Sequence, residues 1–191
     1  GFQVVFIGVH MPSYLKDHGL QPNVATTALA LIGLSLVIWG ADCWPAWLDS
    51  LRYGRFYMEQ GSVGLHKSAS LFSAARLWGA PINVAYAAQG LGTVAAIALI
   101  WSMRAAPSRL RAATICAAAA LSTPYLLDYD MAVVGLGAAF LYAEAREAGF
   151  LPYERSALAF IWIAPWLSRP AAEYALLPFG PIAMLLLAWF A

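Results

Sequence analysis

Charge is what this chain has least of. Asp, Glu, Lys and Arg make up 11% of its 191 residues, against 62% hydrophobic residues and a mean hydropathy of +0.67. A soluble domain carries about 25% charged residues on average. So low a content excludes intrinsic disorder, which needs high charge and low hydrophobicity. It also leaves too little charge to cover an ordinary water-soluble surface. The net charge of +1 argues against nucleic acid as a partner, because that requires a sizeable basic patch. Cysteine is equally scarce. Cys43 stands at a membrane boundary and Cys116 inside a predicted helix, so neither a disulfide nor a metal site is expected. His10 and His18 fall in a loop without metal-ligand spacing. No basic segment precedes the apolar strip Phe2–Val9, so it does not read as a signal peptide. A phosphate-binding Gly loop, a Gly-x-Ser-x-Gly elbow and any serine or cysteine triad are also missing.

What is present is long uncharged stretches: 18–41, 77–103, 112–127, 131–143, 156–168 and 174–191. A helix rises about 1.5 Å per residue and a bilayer core of about 30 Å needs roughly 20 apolar residues. Leu77–Met103 meets that length outright. Val24–Gly40 and Tyr174–Ala191 meet it with modest flanking help, while Met131–Ala143 and Ser156–Ser168 are short. The expected fold class is all-α: a polytopic integral membrane bundle of about six membrane helices with short interfacial helices.

Between the spans the chain is polar. Residues 1–23 read as a divergent or truncated N-terminal segment, with Gly1 expected to be a cut into a longer protein. Residues 24–191 form the membrane domain, and 41–81 its external loop with interfacial helices. In that loop Trp44, Trp47, Leu48, Leu51 and Met58 recur at helical spacing, and the two tryptophans suit the headgroup region. A second short helix starts near Ser68 and stops at Gly79 and Pro81. Arg104, Arg109 and Arg111 form a compact basic loop, which the positive-inside rule places in the cytoplasm. Thr123-Pro124 breaks the next helix, Glu144–Arg155 reads as a mixed-charge loop, and Ser168–Tyr174 as a turn of the last hairpin. The 41–76 interval and the turns at 123–130 and 168–174 then face outward.

Two segments carry candidate chemistry. In Ser122-Thr-Pro-Tyr-Leu-Leu-Asp-Tyr-Asp-Met131, Asp128 and Asp130 stand where two apolar helices meet. Carboxylates there either cap the next helix or face a polar cavity and hold a substrate hydroxyl or a metal. In Leu65–Arg76, Lys67 and Arg76 flank a serine-rich helix start that suits an anionic group; the competing reading is an interfacial loop on lipid headgroups. Gln89 reads as a bond to a neighbouring helix.

The stretch HKSASLFSAARLWGAPINVAYAAQG followed by LSTPYLLDYDMAVVGLGAAFL resembles glycosyltransferase family 87 of the GT-C superfamily. That family includes polyprenol-phosphate-mannose-dependent mannosyltransferases of bacterial membranes. The resemblance runs from about Val24 to Ala191; some relatives carry histidines at the positions of Tyr129 and Asp130. It implies a multi-pass protein of the bacterial plasma membrane. The implied reaction moves a hexose (mannose-like) or a pentose from a polyprenyl-phosphate sugar to a glycan or glycolipid acceptor outside the cytoplasm. No cofactor is expected, the lipid-linked sugar phosphate serving as donor substrate; no residue is assigned as a metal ligand, and the sequence does not fix metal dependence. The resemblance also implies that Asp128 and Asp130 orient hydroxyls at the reaction centre. Lys67 and Arg76 would hold the donor phosphate, with His66, Ser70, Tyr125 and Tyr129 as further substrate contacts. The main catalytic base of such enzymes lies in an earlier external loop, upstream of Gly1, so this chain alone is expected to be inactive. Other readings are half of a transporter or channel, with Asp128 and Asp130 on an ion path, and a noncatalytic membrane fragment.

Overall fold

The computed structural model describes residues 24–62 and 64–191. The expected N-terminal segment, 1–23, lies outside them. The chain divides into two compact units, Gly1–Phe56 and Tyr57–Ala191.

In the first unit, α1 (Val24–Trp39) ends at Gly40, whose φ of +75° is the left-handed conformation that glycine adopts freely. The helix α2 (Cys43–Glu59) follows and runs on into the second unit. Trp44 and Trp47 meet edge-on with ring centroids 6.0 Å apart, and Asp49 pairs with Arg52 at 3.6 Å. The helical spacing read from the tryptophans is therefore a real helix.

The second unit contains α3 (Leu71–Leu77), α4 (Ile82–Ser102), α5 (Ser108–Ser122), α6 (Ala132–Ala148), α7 (Glu154–Ala175) and α8 (Phe179–Phe190). Short 3-10 turns cover Leu65–Lys67, Met103–Ala105 and Asp128–Met131. The described residues contain no strand, only an isolated antiparallel bridge between Ser68 and Leu127. The architecture is all-α.

The helix α5 is the axis of this unit. It packs against α4, α6 and α8 and buries Ala113, Thr114, Cys116, Ala117, Ala118, Ala120 and Leu121. Methyl-sized side chains let neighbouring backbones approach closely, the device that membrane helices use in place of a hydrophobic drive. Thr114 returns its hydroxyl to Leu110 O at 2.8 Å, so this buried oxygen costs the core nothing unsatisfied. Two glycines mark the tightest approaches. A Cβ on Gly137 would stand 2.9 Å from Cys116 Cβ, and one on Gly180 would stand 2.5 Å from Ala69 Cβ and 3.0 Å from Ala69 Cα. Neither position has room for a larger residue.

Short connections reverse the chain at each helix end. The starts of α4, α6 and α8 therefore gather with the ends of α5 and α7 at one end of the unit. The connections 103–107 and 149–153 lie at the other, basic end. Among the described residues, Ile82–Ala105 is the one segment long and apolar enough to cross a membrane. Leu91, Val94, Ile97 and Trp101 are exposed along it, an apolar surface of the kind that lipid solvates. The helix Phe179–Phe190 is apolar but shorter.

Two expected boundaries are corrected. Ser168–Tyr174 is not a turn: α7 continues through Pro165 and Pro170 to Ala175 and ends at Leu176, in the left-handed conformation at φ 55°. The buried stripe Glu154, Ala157, Leu158, Ile161, Ala164, Ser168 and Ala172 keeps its helical period through the prolines, and this packing holds the helix together. Glu144–Arg155 is not a continuous loop either. The helix α6 extends to Ala148, and Glu154 opens α7 as a buried carboxylate accepting from Leu151 N at 2.7 Å.

Candidate functional site

The two segments singled out from sequence meet at the same end of the second unit. Pro124 stops α5, because the residue before a proline avoids the helical region; Thr123 lies at φ −105°, ψ 131°. A turn at Pro124 and Tyr125 then leads to Leu127. There it meets Leu65–Ser70: Ala69 N donates to Leu126 O at 2.8 Å and Ser68 Oγ donates to the same carbonyl at 3.0 Å. Lys67 is thus one residue from a bridged pair, Ser68 and Leu127, whose other member precedes Asp128. Both 3-10 turns, Leu65–Lys67 and Asp128–Met131, pack on α7. Gly180 receives Ala69 from below, which closes the corner.

Each aspartate has a local task. Asp130 Oδ2 accepts from Leu127 N at 3.1 Å while Asp130 N donates to Leu127 O at 3.0 Å, the reaching-back half of a capping box. Asp128 Oδ1 accepts from Tyr129 N at 3.0 Å. The capping role read from sequence is therefore present. One oxygen of each carboxylate is engaged, and both residues remain partly exposed beside the exposed rings of Tyr125 and Tyr129.

The serines are structural. Ser70 caps α3, accepting from Ser73 N at 3.1 Å, and is buried with Ser73. Ser73 Oγ passes a hydrogen bond on to Ser68 Oγ. The next N–H, that of Phe72, goes to Gln89 Oε1 at 3.2 Å. The backbone donors at this helix start are thus largely spent inside the protein, and α3 itself is only seven residues long. What the segment leaves available is side-chain charge. His66 and Lys67 are half-buried in their 3-10 turn. Arg76 donates from Nη1 to Ala80 O at 2.9 Å, while its Nε is buried without a partner among the described residues. An orphaned guanidinium donor calls for an acceptor. The helix ends as its sequence signals: Gly79 at φ +81°, with Ala80 N bonded back to Ala75 O at 3.0 Å.

Gln89 organises the interior of this corner. It is 4% exposed and donates from Nε2 to Leu121 O at 2.8 Å while accepting from Phe72 N. One amide so ties α4 to the last turn of α5 and to the first turn of α3. The expected bond to a neighbouring helix is present and is double. Phe72 packs against Tyr86 with ring centroids 4.8 Å apart and the planes tilted by 50°, and the Tyr86 hydroxyl donates to Glu59 Oε1 at 2.7 Å. Trp78 Nε1 donates to Leu176 O at 2.9 Å. Sequence reasoning had not singled out Tyr86, Glu59 or Trp78's tie to Leu176; their partners are too distant in sequence to leave a local signal. Among the described residues no three His, Cys, Asp or Glu gather as a metal site.

The second unit is thus all-helical, with one long apolar segment, and its corner gathers carboxylates, cations and tyrosines at the helix ends. The model of glycosyltransferase family 87 matches residues 23–127, more than half of the chain, and the chain belongs to that family. No curated protein and no solved structure matches it. The family is one of membrane glycosyltransferases, and the apolar segment Ile82–Ala105 agrees with that. The matched region holds His66, Lys67, Ser70, Arg76 and Tyr125 and stops at Leu127, directly before Asp128.

Proposed function

We propose that this chain belongs to a multi-pass enzyme of the bacterial plasma membrane. It transfers a hexose of the mannose type, or a pentose, from a polyprenyl-phosphate donor to an extracytoplasmic glycan or glycolipid. The observation that carries the reading is the hydrogen-bonded junction of Ser68 and Ala69 with Leu126. It puts the candidate phosphate-holding segment, with Lys67 and Arg76, against the candidate carboxylate segment, with Asp128 and Asp130.

The acceptor hydroxyl attacks the anomeric carbon, the bond from that carbon to the donor phosphate oxygen breaks, and the phosphate leaves with the electron pair. Lys67 and Arg76 stabilise the charge that grows on the leaving phosphate. The acceptor proton passes to a carboxylate acting as general base. Asp128 and Asp130 use their free oxygens to orient sugar hydroxyls, and Tyr125 and Tyr129 offer ring faces and hydroxyls at the rim. Ser70 acts indirectly by capping α3, and His66 lies beside Lys67 as a further contact. The polyprenyl chain stays in the bilayer. The family match favours group transfer over an ion path.

The test is turnover of a radiolabelled polyprenyl-phosphate sugar in membranes holding the full-length gene product. Asp130→Asn and Lys67→Ala are each expected to abolish transfer while protein abundance is unchanged. Full turnover in both variants would sink the assignment.

A further inference from the structure

A second site lies at the other end of the unit. A cleft of about 760 Å³ runs between α6 and α7. That is within the roughly 300–1,000 Å³ range of small-molecule pockets. On α6 its walls are Ala139, Tyr142 and Arg146, and on α7 they are Arg155, Ala159 and Trp162. Both triplets follow helical spacing and face outward, so two parallel stripes border one groove on the side of the bundle. The helices are antiparallel. Arg146 and Arg155 therefore share the basic end, and the groove becomes apolar toward Ala139 and Trp162.

The two arginines are not consumed by the protein. Arg155 stacks over Phe150 at 4.5 Å, which fixes the plane of the guanidinium and leaves its N–H donors free. Arg146 has no ion pair among the described residues. The nearby acids are engaged elsewhere. Glu147 pairs with Arg109 at 2.6 Å, and Glu154 is buried against Leu151 N. Glu144, one turn back on α6, is half-buried. A cationic mouth above an apolar trough matches an anionic amphiphile.

We propose that this cleft binds an anionic glycerophospholipid of the leaflet at the basic end. Arg146 and Arg155 hold its phosphate, and the first part of an acyl chain lies along Ala139, Ala159 and Trp162. This site is not the donor's. Asp130 is separated from Arg146 by the length of α6, about 24 Å. The inference rests on membrane residence, but not on the transfer reaction.

Trp162 supplies the probe. The chain is reconstituted in phosphatidylcholine vesicles, and the Trp162 signal is taken as the difference between wild type and Trp162→Phe. Brominated phosphatidylglycerol should quench that signal at a mole fraction on the order of 10- to 30-fold lower than brominated phosphatidylcholine, as expected for two lipid-facing arginines. Arg146→Gln with Arg155→Gln should remove this preference at unchanged helix content, and the paired lysine variant should restore part of it. Equal quenching by both lipids, or a preference surviving in the glutamine variant, overturns the proposal. Displacement by millimolar inorganic phosphate would assign the cleft to free anions and overturn it as well. Quenching by neither lipid overturns it as well, by taking Trp162 out of contact with lipid.

Discussion

Gln89 Nε2 donates to the carbonyl of Leu121 at 2.8 Å, in the last turn of α5, where Thr123-Pro124 ends the helix. A helix end leaves carbonyls without intrahelical donors. Here the missing donor comes from the neighbouring α4, and the same amide accepts Phe72 N at the start of α3. The corner that carries the candidate site is built around this one side chain.

Gln89→Leu keeps the volume and deletes both bonds. Two buried backbone groups then lose their partners, at about 1–3 kcal/mol each. The expected outcome is a clear drop in the thermal midpoint of the detergent-solubilised protein. Gln89→Glu retains an acceptor for Phe72 N and should recover stability only when the carboxyl is protonated and can donate to Leu121 O. A midpoint unchanged in Gln89→Leu contradicts the assigned bonds.

Asp130→Asn and Asp130→Ala separate capping from chemistry. Asn still offers an oxygen to Leu127 N, so the turn should hold while transfer fails. Ala removes the cap and should cost about 1 kcal/mol as well. Equal thermal midpoints for the two variants would show that the 3.1 Å bond contributes nothing.

Gly180→Ala drives a methyl into Ala69, where the gap is 2.5 Å. Overpacking of this kind costs about 1–3 kcal/mol. Because Ala69 also donates to Leu126 O, the variant should loosen the 65–70 strip, read as faster amide exchange there than in α5. Adding Ala69→Gly to Gly180→Ala removes the 2.5 Å contact but leaves the backbone Cα and O of residue 69 at 3.0 and 3.1 Å, so protection should return in part. Protection unchanged from wild type in Gly180→Ala itself would contradict the close contact.

The basic end has a pH signature. The hydrogen bond and charge of Arg109 hold the Glu147 carboxyl below its ordinary value of 4.5, and Glu147 in turn raises the Arg109 guanidinium. A carboxylate lowered by folding adds stability above its unfolded value, and the gain is lost as pH falls through the folded value. Both side chains are well exposed, so the gain is small and salt-sensitive. The difference in thermal midpoint between wild type and Glu147→Gln should be present at pH 6 in low salt, shrink below the ordinary carboxylate value, and be absent in 1 M salt. A difference that persists in acid would rule out the ion pair as its source.

Much of this was legible locally. The α4 span, the Gly79–Pro81 stop, the break at Thr123-Pro124 and the helix of Trp44 and Trp47 each follow from a run, a turn residue or a period. The capping use of Asp130 was legible because its partner is three residues away. The path of α7 was not. Pro170 between Arg169 and Glu173 carries every local sign of a turn, and only the buried stripe that includes Ser168 and Ala172 overrides it. The cleft between α6 and α7 was invisible for a related reason. Its two stripes are unremarkable alone and acquire a shared cationic mouth only when antiparallel packing brings Arg146 and Arg155 to one end.

The alanine surface of α5 has a mechanical consequence. A helix that meets its neighbours through methyl groups has no long side chains to swing aside, and close-packed interiors resist small deformations. Rearrangement at the carboxylate end therefore falls not on the bundle axis but on the parts held by a few hydrogen bonds, the 65–70 strip and the 123–130 turn, which share the Leu126 carbonyl as a common latch.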